Sequence, residues 1–265
     1  MSYQRLDATR DAFRAQDGLR SALVHDTTSA VHAEPTITGG RFMKPLVFGG
    51  LDGISTIFSL IAGSTGAQLS LSHMLAVGAG NLVAGAFGMG FGEYVSSTAD
   101  AEVAKREQAR EKWEVENYPE GEVNEMIQIY CDKGISREDA VTVARTLSKY
   151  IDFWVEHMML TEIGMIPADP AESHALSGLI MFSSFSFFGA IPLSAYAAID
   201  LLHINVPPFV ACAVVSLATL FILGALKSHV LSQDRLMGGL MMTLQGSLCA
   251  ASAYWLGDLI QNILV

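Results

Sequence analysis

Two long stretches of this chain carry almost no charge, and this feature restricts the possible folds more than any other. Between residues 45 and 94 the only acidic or basic side chains besides one histidine are Asp52 and Glu93. Residues 175–226 contain one acid and one histidine. A soluble domain rarely sustains such runs, because it needs polar side chains on its outer surface. The pattern indicates a polytopic membrane protein.

The apolar runs have the length that a bilayer requires. A hydrocarbon core of about 30 Å is crossed by about 20 apolar residues in an α-helix. A helix is also a form in which each segment satisfies its own backbone hydrogen bonds in lipid. We therefore predict an all-α membrane protein with five transmembrane helices, spans one to five. They cover about residues 45–67, 72–97, 174–200, 207–227 and 237–262.

The spans divide the chain of 265 residues into four parts. Residues 1–40 are polar and lack the apolar segment of a signal peptide, so we predict a disordered cytosolic tail. Residues 41–97 hold spans one and two, and residues 173–265 hold spans three to five. Residues 98–172, called the insert below, form a polar helical domain between spans two and three.

Lysine and arginine are distributed unevenly around the spans, which predicts the orientation. Arg41 and Lys44 precede span one, while Lys227 and Arg235 lie between spans four and five. The loops after spans one and three contain no lysine or arginine. By the positive-inside rule, the amino terminus and the insert are predicted to be cytosolic and the carboxyl terminus to be on the lumenal side.

The insert is strongly acidic and reads as three helices. It holds 17 acidic against 8 basic residues, in a chain whose net charge is -11. The first helix is predicted to continue span two to Asn117, before Pro119, and the second to cover 120–132. The third is predicted from Ser136, whose hydroxyl can cap a helix, to about residue 163.

Glutamates recur at helical spacing on all three predicted helices of the insert. Side chains three or four residues apart share a helix face, so acids from different helices could converge on a divalent cation. Thioether sulfur shifts the preference toward transition metals such as iron, manganese, cobalt or zinc. The alternative is that the acids merely solvate a surface and the methionines fill a core. The residues concerned are Glu107, Glu111, Glu114, Glu122, Glu125, Met158, Met159 and Glu162.

Asp52 is the informative residue within the spans. An ionisable side chain inside a membrane is energetically costly and marks an ion or proton path by default. One carboxylate can bind a proton or a metal ion in turn, as a metal-for-proton exchanger requires. The alternative is an interfacial aspartate capping a helix that Gly49, Gly50 and Gly53 interrupt.

Span two offers a weaker pair of candidates. Asn81 and Met89 lie about two helical turns apart and can point the same way. A thioether in such a path is a plausible weak ligand, although a membrane methionine can equally be a packing residue. Gly80, Ala84, Gly88 and Gly92 recur every fourth residue and permit close approach of another helix.

These residues together resemble a known family. The segment 47–67, VFGGLDGISTIFSLIAGSTGA, and the segment 85–94, GAFGMGFGEY, resemble the first two spans of the vacuolar iron transporter family. The acidic insert and the segment 158–164, MMLTEIG, are similar as well. The resemblance covers residues 41–265.

The resemblance implies a homodimer of five-span subunits with an ion path between spans one and two, fed by a cytosolic metal-binding domain. It also implies exchange of iron(II), and often manganese(II), for protons across the membrane of a vacuole or another acidic organelle. Asp52 and Met89 match residues of the path. The ligands that the resemblance implies in the insert are Glu111, Glu114, Glu122, Glu125, Met158, Met159 and Glu162.

One departure from the family concerns Asn81, which stands where members commonly have a glutamate. An amide offers a carbonyl oxygen but cannot take up a proton, so the proton stoichiometry is in question. Glu93 stands where the family usually has a small residue. It either partly replaces the glutamate that is missing at position 81 or is an interfacial acid at the cytosolic mouth of the path.

The expected partners are the lipid bilayer and a second copy of the chain, with no nucleic acid and no cofactor. Divalent metal, iron or manganese first and zinc or cobalt as further candidates, is expected as substrate and as domain-bound ion. A rival hypothesis is a non-transporting metal sensor or scaffold. An enzyme is disfavoured, because the sequence contains no HExxH motif and no phosphate-binding glycine loop.

Overall fold

The structure is a computed structural model that describes residue 15 and residues 40–169, 173–203, 205–230 and 233–264. All regular elements in these ranges are helical. The predicted disordered tail, residues 1–40, lies outside the described residues except at its positions 15 and 40.

Within these described ranges, five helices are long and apolar enough to cross a membrane, as predicted. In chain order the helices are α1 (Gly40–Gly66), α2 (Leu71–Asn117), α3 (Pro119–Asp132), α4 (Arg137–Leu147), α5 (Ile151–Met158), α6 (His174–Leu201), α7 (Pro208–Val230) and α8 (Arg235–Leu264). A π-helical turn, Met159–Ile163, follows α5. The candidate spans belong to α1, α2, α6, α7 and α8, and four of them lie within a few residues of the predicted bounds. The span in α2 begins at Leu71, close to the predicted start, but the helix extends to Asn117, beyond the predicted end at about residue 97.

Helix α2 is much longer than a membrane is thick. Its 47 residues extend about 70 Å at 1.5 Å per residue, more than twice the hydrocarbon thickness. Its sequence is apolar to about residue 97 and rich in charge from residue 100 onward. The prediction that the first helix of the insert continues span two is therefore confirmed.

The chain divides into two compact units, Met1–Ala86 with Ser183–Val265, and Phe87–Phe182. In the first unit, α1, α7 and α8 pack on one another. Their core contains Ile57, Phe58 and Ile61 of α1, with Cys212 of α7 and Ala250 of α8. These side chains are almost completely buried, so they form the apolar contact among the three helices.

Glycine permits the closest contact between α1 and α8. A Cβ atom added to Gly66 would collide with the carbonyl oxygen of Tyr254, and one added to Gly257 would collide with that of Gly63. Both obstacles are backbone atoms, which cannot rotate away as a side chain can. The small residues at this crossing are therefore required by the packing.

In the second unit, the insert encloses its own apolar core. Val115 at the end of α2, Met126 of α3, Ala144 of α4 and Trp154 and Met158 of α5 are buried together there. The Ser136 cap is confirmed, since its hydroxyl oxygen accepts a hydrogen bond from the Asp139 backbone N–H at 3.2 Å. Residues of α2, α3, α4 and α5 thus share one core.

The prediction of a single third helix over 136–163 is wrong. The chain leaves the helical conformation at Ser148–Tyr150, so α4 and α5 are separate, and residues 159–163 form the π-helical turn. Tyr150, just before α5, has a φ of -113° and a ψ of 82°, which lie outside the helical region. The apolar spacing continues in phase across the break and did not reveal it.

We expect Gly66→Ala to lower the thermal unfolding midpoint of the full-length protein in detergent, because the added Cβ overlaps the backbone of α8. Overpacking of this kind destabilises by about 1–3 kcal/mol. Ala251→Ser is the control, since it adds one heavy atom at an exposed position of α8. Equal midpoints for the two variants would contradict the close contact.

Candidate functional site

The predicted acids of the insert converge at one place in the second unit. One carboxylate oxygen from each of Glu111, Glu114 and Glu122 lies within 4.8 Å of the other two. The same holds for Glu122, Glu125 and Glu162, so Glu122 joins the two groups. We call these five residues the acid cluster.

Three separate elements supply the side chains of the acid cluster. Helix α2 contributes Glu111 and Glu114, three residues apart, and α3 contributes Glu122 and Glu125 with the same spacing. The π-helical turn contributes Glu162. Gly164 follows this turn directly, and its φ of 72° is a left-handed conformation that glycine adopts easily.

Two acids of the cluster are buried, which is unusual for glutamate. Glu111 is completely buried and Glu122 is 6% exposed. Neither carboxylate oxygen of Glu111 accepts a hydrogen bond from any residue that the structure describes. A buried carboxylate without hydrogen-bond donors is costly when ionised, and a cation beside it lowers that cost. For these two residues the alternative of acids that merely solvate a surface is wrong.

Burial and mutual repulsion raise the proton affinity of the cluster. Desolvation first, and then the negative charge of Glu162, raise the pKa of Glu111 to about 7. Desolvation first, and then Glu125, raise the pKa of Glu122 to about 7. The pKa of Glu162 is raised by the same two causes, burial and Glu125. Near neutral pH the cluster thus exchanges protons readily, so protons and a divalent cation would compete for it.

Arg110 contacts the cluster and was not among the residues predicted from the sequence. Its Nη2 lies 2.7 Å from Glu111 Oε1 in an ion pair that lacks hydrogen-bond geometry. Its Nη1 donates a hydrogen bond to Glu114 Oε2 at 2.7 Å, and its Nε donates one to Glu107 Oε2 at 2.9 Å. Glu107 is thus held by Arg110 at the edge of the cluster. The spacing of Arg110 from Glu107 and Glu114 would have indicated this contact.

The two methionines are buried in the same unit. Met158 lies in the apolar core with Met126 and Trp154. Met159 is also completely buried. A methionine that only fills the core would be buried in the same way as Met158. Its role as a metal ligand therefore stays a prediction.

His157, beside these methionines, has a structural partner. The Tyr130 hydroxyl lies 2.6 Å from His157 Nε2. Burial first, and then the charge of Lys133, lower the pKa of His157. This histidine belongs to the packing of α3 against α5.

Asp52 lies within an unbroken helix in the first unit. Helix α1 runs from Gly40 to Gly66 through the neighbouring glycines, so the alternative of a capping aspartate at a helix break is wrong. Asp52 is half-buried, and the hydroxyl of Thr56 lies 3.5 Å from Asp52 Oδ1. The glycines on either side face α6: a Cβ on Gly50 would meet Phe188, and one on Gly53 would meet the Phe185 backbone.

The other predicted path residues lie along α2. Asn81 is half-buried in the first unit, next to Leu82, which contacts α6 near Gly189. Met89 and Glu93 are half-buried in the second unit. The Glu93 carbonyl accepts a hydrogen bond from the Ser97 hydroxyl at 2.7 Å. The roles of these residues stay predictions.

Comparison with known proteins identifies the family. The sequence profile of the VIT family matches residues 43–258. The chain belongs to the VIT family. It is 40% identical to the vacuolar iron transporter of Toxoplasma gondii, over 97% of this chain and 89% of that protein.

Two further relatives of this VIT family chain have matching names. It is 37% identical to the vacuolar iron transporter of Plasmodium falciparum, over 96% of this chain and 95% of that protein. It is 30% identical to vacuolar iron transporter 1 of Arabidopsis thaliana, over 87% of this chain and 91% of that protein. The VIT family consists of transporters rather than enzymes.

We expect the metal-free VIT family protein to become less stable as the pH rises from about 4.5 to about 7. In this window the unfolded chain has released the protons of Glu111 and Glu122, which the folded protein still holds. Ionising these carboxyls in the folded state costs about 1.4 kcal/mol per unit of pKa. The measurement is the unfolding midpoint between pH 4.5 and 8, with chelator present.

Glu111→Gln should flatten this pH dependence, because an amide needs no ionisation. Glu116→Gln is the control, since Glu116 is exposed on the same helix. If the two variants show the same pH profile as the wild type, Glu111 is not the group responsible.

Proposed function

We propose that this VIT family member moves iron(II), and also manganese(II), from the cytosol into an acidic organelle in exchange for protons. The observation that carries the proposal is the buried Glu111 carboxylate, which accepts no hydrogen bond from the described part of the chain and lies among four further glutamates. The names of the relatives agree with iron as the substrate.

The acid cluster is proposed to collect the ion on the cytosolic side. Carboxylates attract divalent cations from solution, and the excess negative charge of the insert raises their local concentration. Glu111, Glu114, Glu122, Glu125 and Glu162 then serve as oxygen ligands. Met158 and Met159 are proposed to supply the sulfur that favours transition metals over calcium and magnesium.

Asp52 is proposed to carry the ion through the membrane, with Met89 and the Asn81 carbonyl oxygen as neutral ligands along the path. Protons from the acidic lumen would neutralise Asp52 and release the metal there. Asn81 cannot take up a proton, so Asp52 is the proton acceptor among these three residues. The proposed orientation places the amino terminus and the insert in the cytosol and the carboxyl terminus in the lumen.

A homodimer through spans one and two is proposed on two observations. Gly80, Ala84, Gly88 and Gly92 are all exposed in the single chain, and nothing lies within 4 Å of a Cβ added to any of these glycines. Such a stripe allows two helices to approach closely. Asp52 is also only half-buried, and a second subunit would shield it from lipid at low energetic cost.

Transport is tested with purified protein in proteoliposomes whose interior is acidic. We expect wild type to accumulate iron(II) and manganese(II), and Asp52→Ala to reduce uptake to the level of empty liposomes. Asp200→Ala, at the end of α6, is the control and should keep activity. Absent uptake by wild type, with metal still bound to the protein, would instead support the sensor or scaffold.

The dimer is tested by Ala84→Leu combined with Gly88→Leu, which places two large side chains on the exposed stripe. We expect the mass of the protein in detergent, measured by light scattering, to fall from two subunits to one. Val83→Leu, at an exposed position next to the stripe, should leave the mass unchanged. A dimeric double variant would show that the stripe is not the interface.

A further inference from the structure

The Arg110 guanidinium lies against carboxylates of the acid cluster that could also bind a metal ion. It contacts three carboxylates at once, those of Glu107, Glu111 and Glu114, with N–O distances of 2.9, 2.7 and 2.7 Å. Glu111 and Glu114 belong to the first group of converging acids. Glu111 and Glu114 are therefore both partners of the Arg110 guanidinium and proposed ligands of the metal ion.

Among the ion pairs of residues 98–168, Arg110 alone joins a cation to acids of the cluster. The other pairs are Arg106 with Glu102, Lys112 with Asp152 and Arg145 with Glu120. Arg110 therefore partly neutralises a group of acids that strongly repel one another. The hydrogen bond to Glu107, followed by the charge of Glu111, raises the pKa of Arg110, although desolvation lowers it. A guanidinium remains charged in proteins in any case.

The Arg110 side chain can leave the cluster without unfolding the insert. It is 48% exposed, in contrast to the 1% exposure of the Glu111 side chain. An arginine side chain has several rotatable bonds and can turn into water, where its charge is well solvated. A divalent ion bound by Glu111 and Glu114 would repel a guanidinium that stayed within a few ångströms.

We propose that Arg110 occupies the acid cluster in the metal-free protein and must withdraw from Glu111 and Glu114 when a divalent metal binds. This inference rests on the proposed function, because it concerns the same site. Arg110 lowers the affinity, so that the site loads and unloads. It also selects for charge, since a monovalent ion gains too little from these acids to displace a guanidinium with three carboxylate partners.

The first test is manganese(II) binding to full-length protein in detergent, by titration calorimetry at pH 8. Arg110→Ala should bind manganese(II) about tenfold or more tightly than wild type, because the competing cation is gone. Arg106→Ala is the matched control, since Arg106 lies one turn earlier on α2 and is 79% exposed. Unchanged or weaker binding by Arg110→Ala would overturn the inference.

Arg110→Lys keeps the charge but cannot reach three carboxylates with one compact ammonium group. We expect its affinity to lie between those of wild type and Arg110→Ala. Added potassium should weaken manganese(II) binding more in Arg110→Ala than in wild type, because the protecting guanidinium is absent. Equal sensitivity to potassium would overturn the proposed selection for charge.

A second measurement uses wild type alone and does not depend on the folding of a variant. Phenylglyoxal modifies accessible arginine side chains, and peptide mass spectrometry reports the extent at each position. Manganese(II) should increase modification of Arg110 several-fold and leave Arg106 unchanged. Protection of Arg110 by metal, or no change, would overturn the inference.

The binding measurements distinguish the role of Arg110 from metal binding by the protein as a whole. Wild type that binds manganese(II) with no effect of Arg110→Ala would overturn the role of Arg110 and leave metal binding intact. Wild type that binds neither manganese(II) nor iron(II) would overturn both.

Discussion

The hydrocarbon core of a bilayer offers no hydrogen-bonding partner to a peptide group, and the architecture follows from this. Each apolar segment must satisfy its own backbone, so the chain crosses as helices. Helices in lipid associate through close packing rather than through the hydrophobic effect, which explains the contact of Gly66 and Gly257 between α1 and α8. The same helical backbone continues from span two to Asn117 and carries Glu111 and Glu114 beyond the apolar region.

Electrostatic repulsion governs the chemistry of the insert. Its acids are held close together by an apolar core that includes Met126, Trp154 and Met158. The burial of hydrophobic side chains thus provides the free energy that keeps Glu111 and Glu122 out of water. The ionised cluster is stabilised by any cation that can reach it: a proton, the Arg110 guanidinium or a divalent metal. Competition among these three would make binding reversible near neutral pH.

Much of this arrangement could be predicted from local patterns. The end of α2 at Asn117 follows from the proline two residues later, and the start of α4 follows from the Ser136 cap. The break between α4 and α5 could not be predicted, because the apolar spacing continues through it in phase. Arg110 was overlooked although its spacing from Glu107 and Glu114 on one helix face is visible in the sequence.

The sequence by itself determined the five membrane-spanning helices, the acidic insert and the acids that could bind a cation, because length, charge and helical spacing are local properties. The resemblance to the VIT family was also readable from its first two spans, and the match over residues 43–258 confirms it. Only the tertiary structure decided that acids of α2, α3 and the π-helical turn converge and that Glu111 is buried. Spacing fixes which residues share a face of one helix, whereas the meeting of different helices depends on how their apolar surfaces pack.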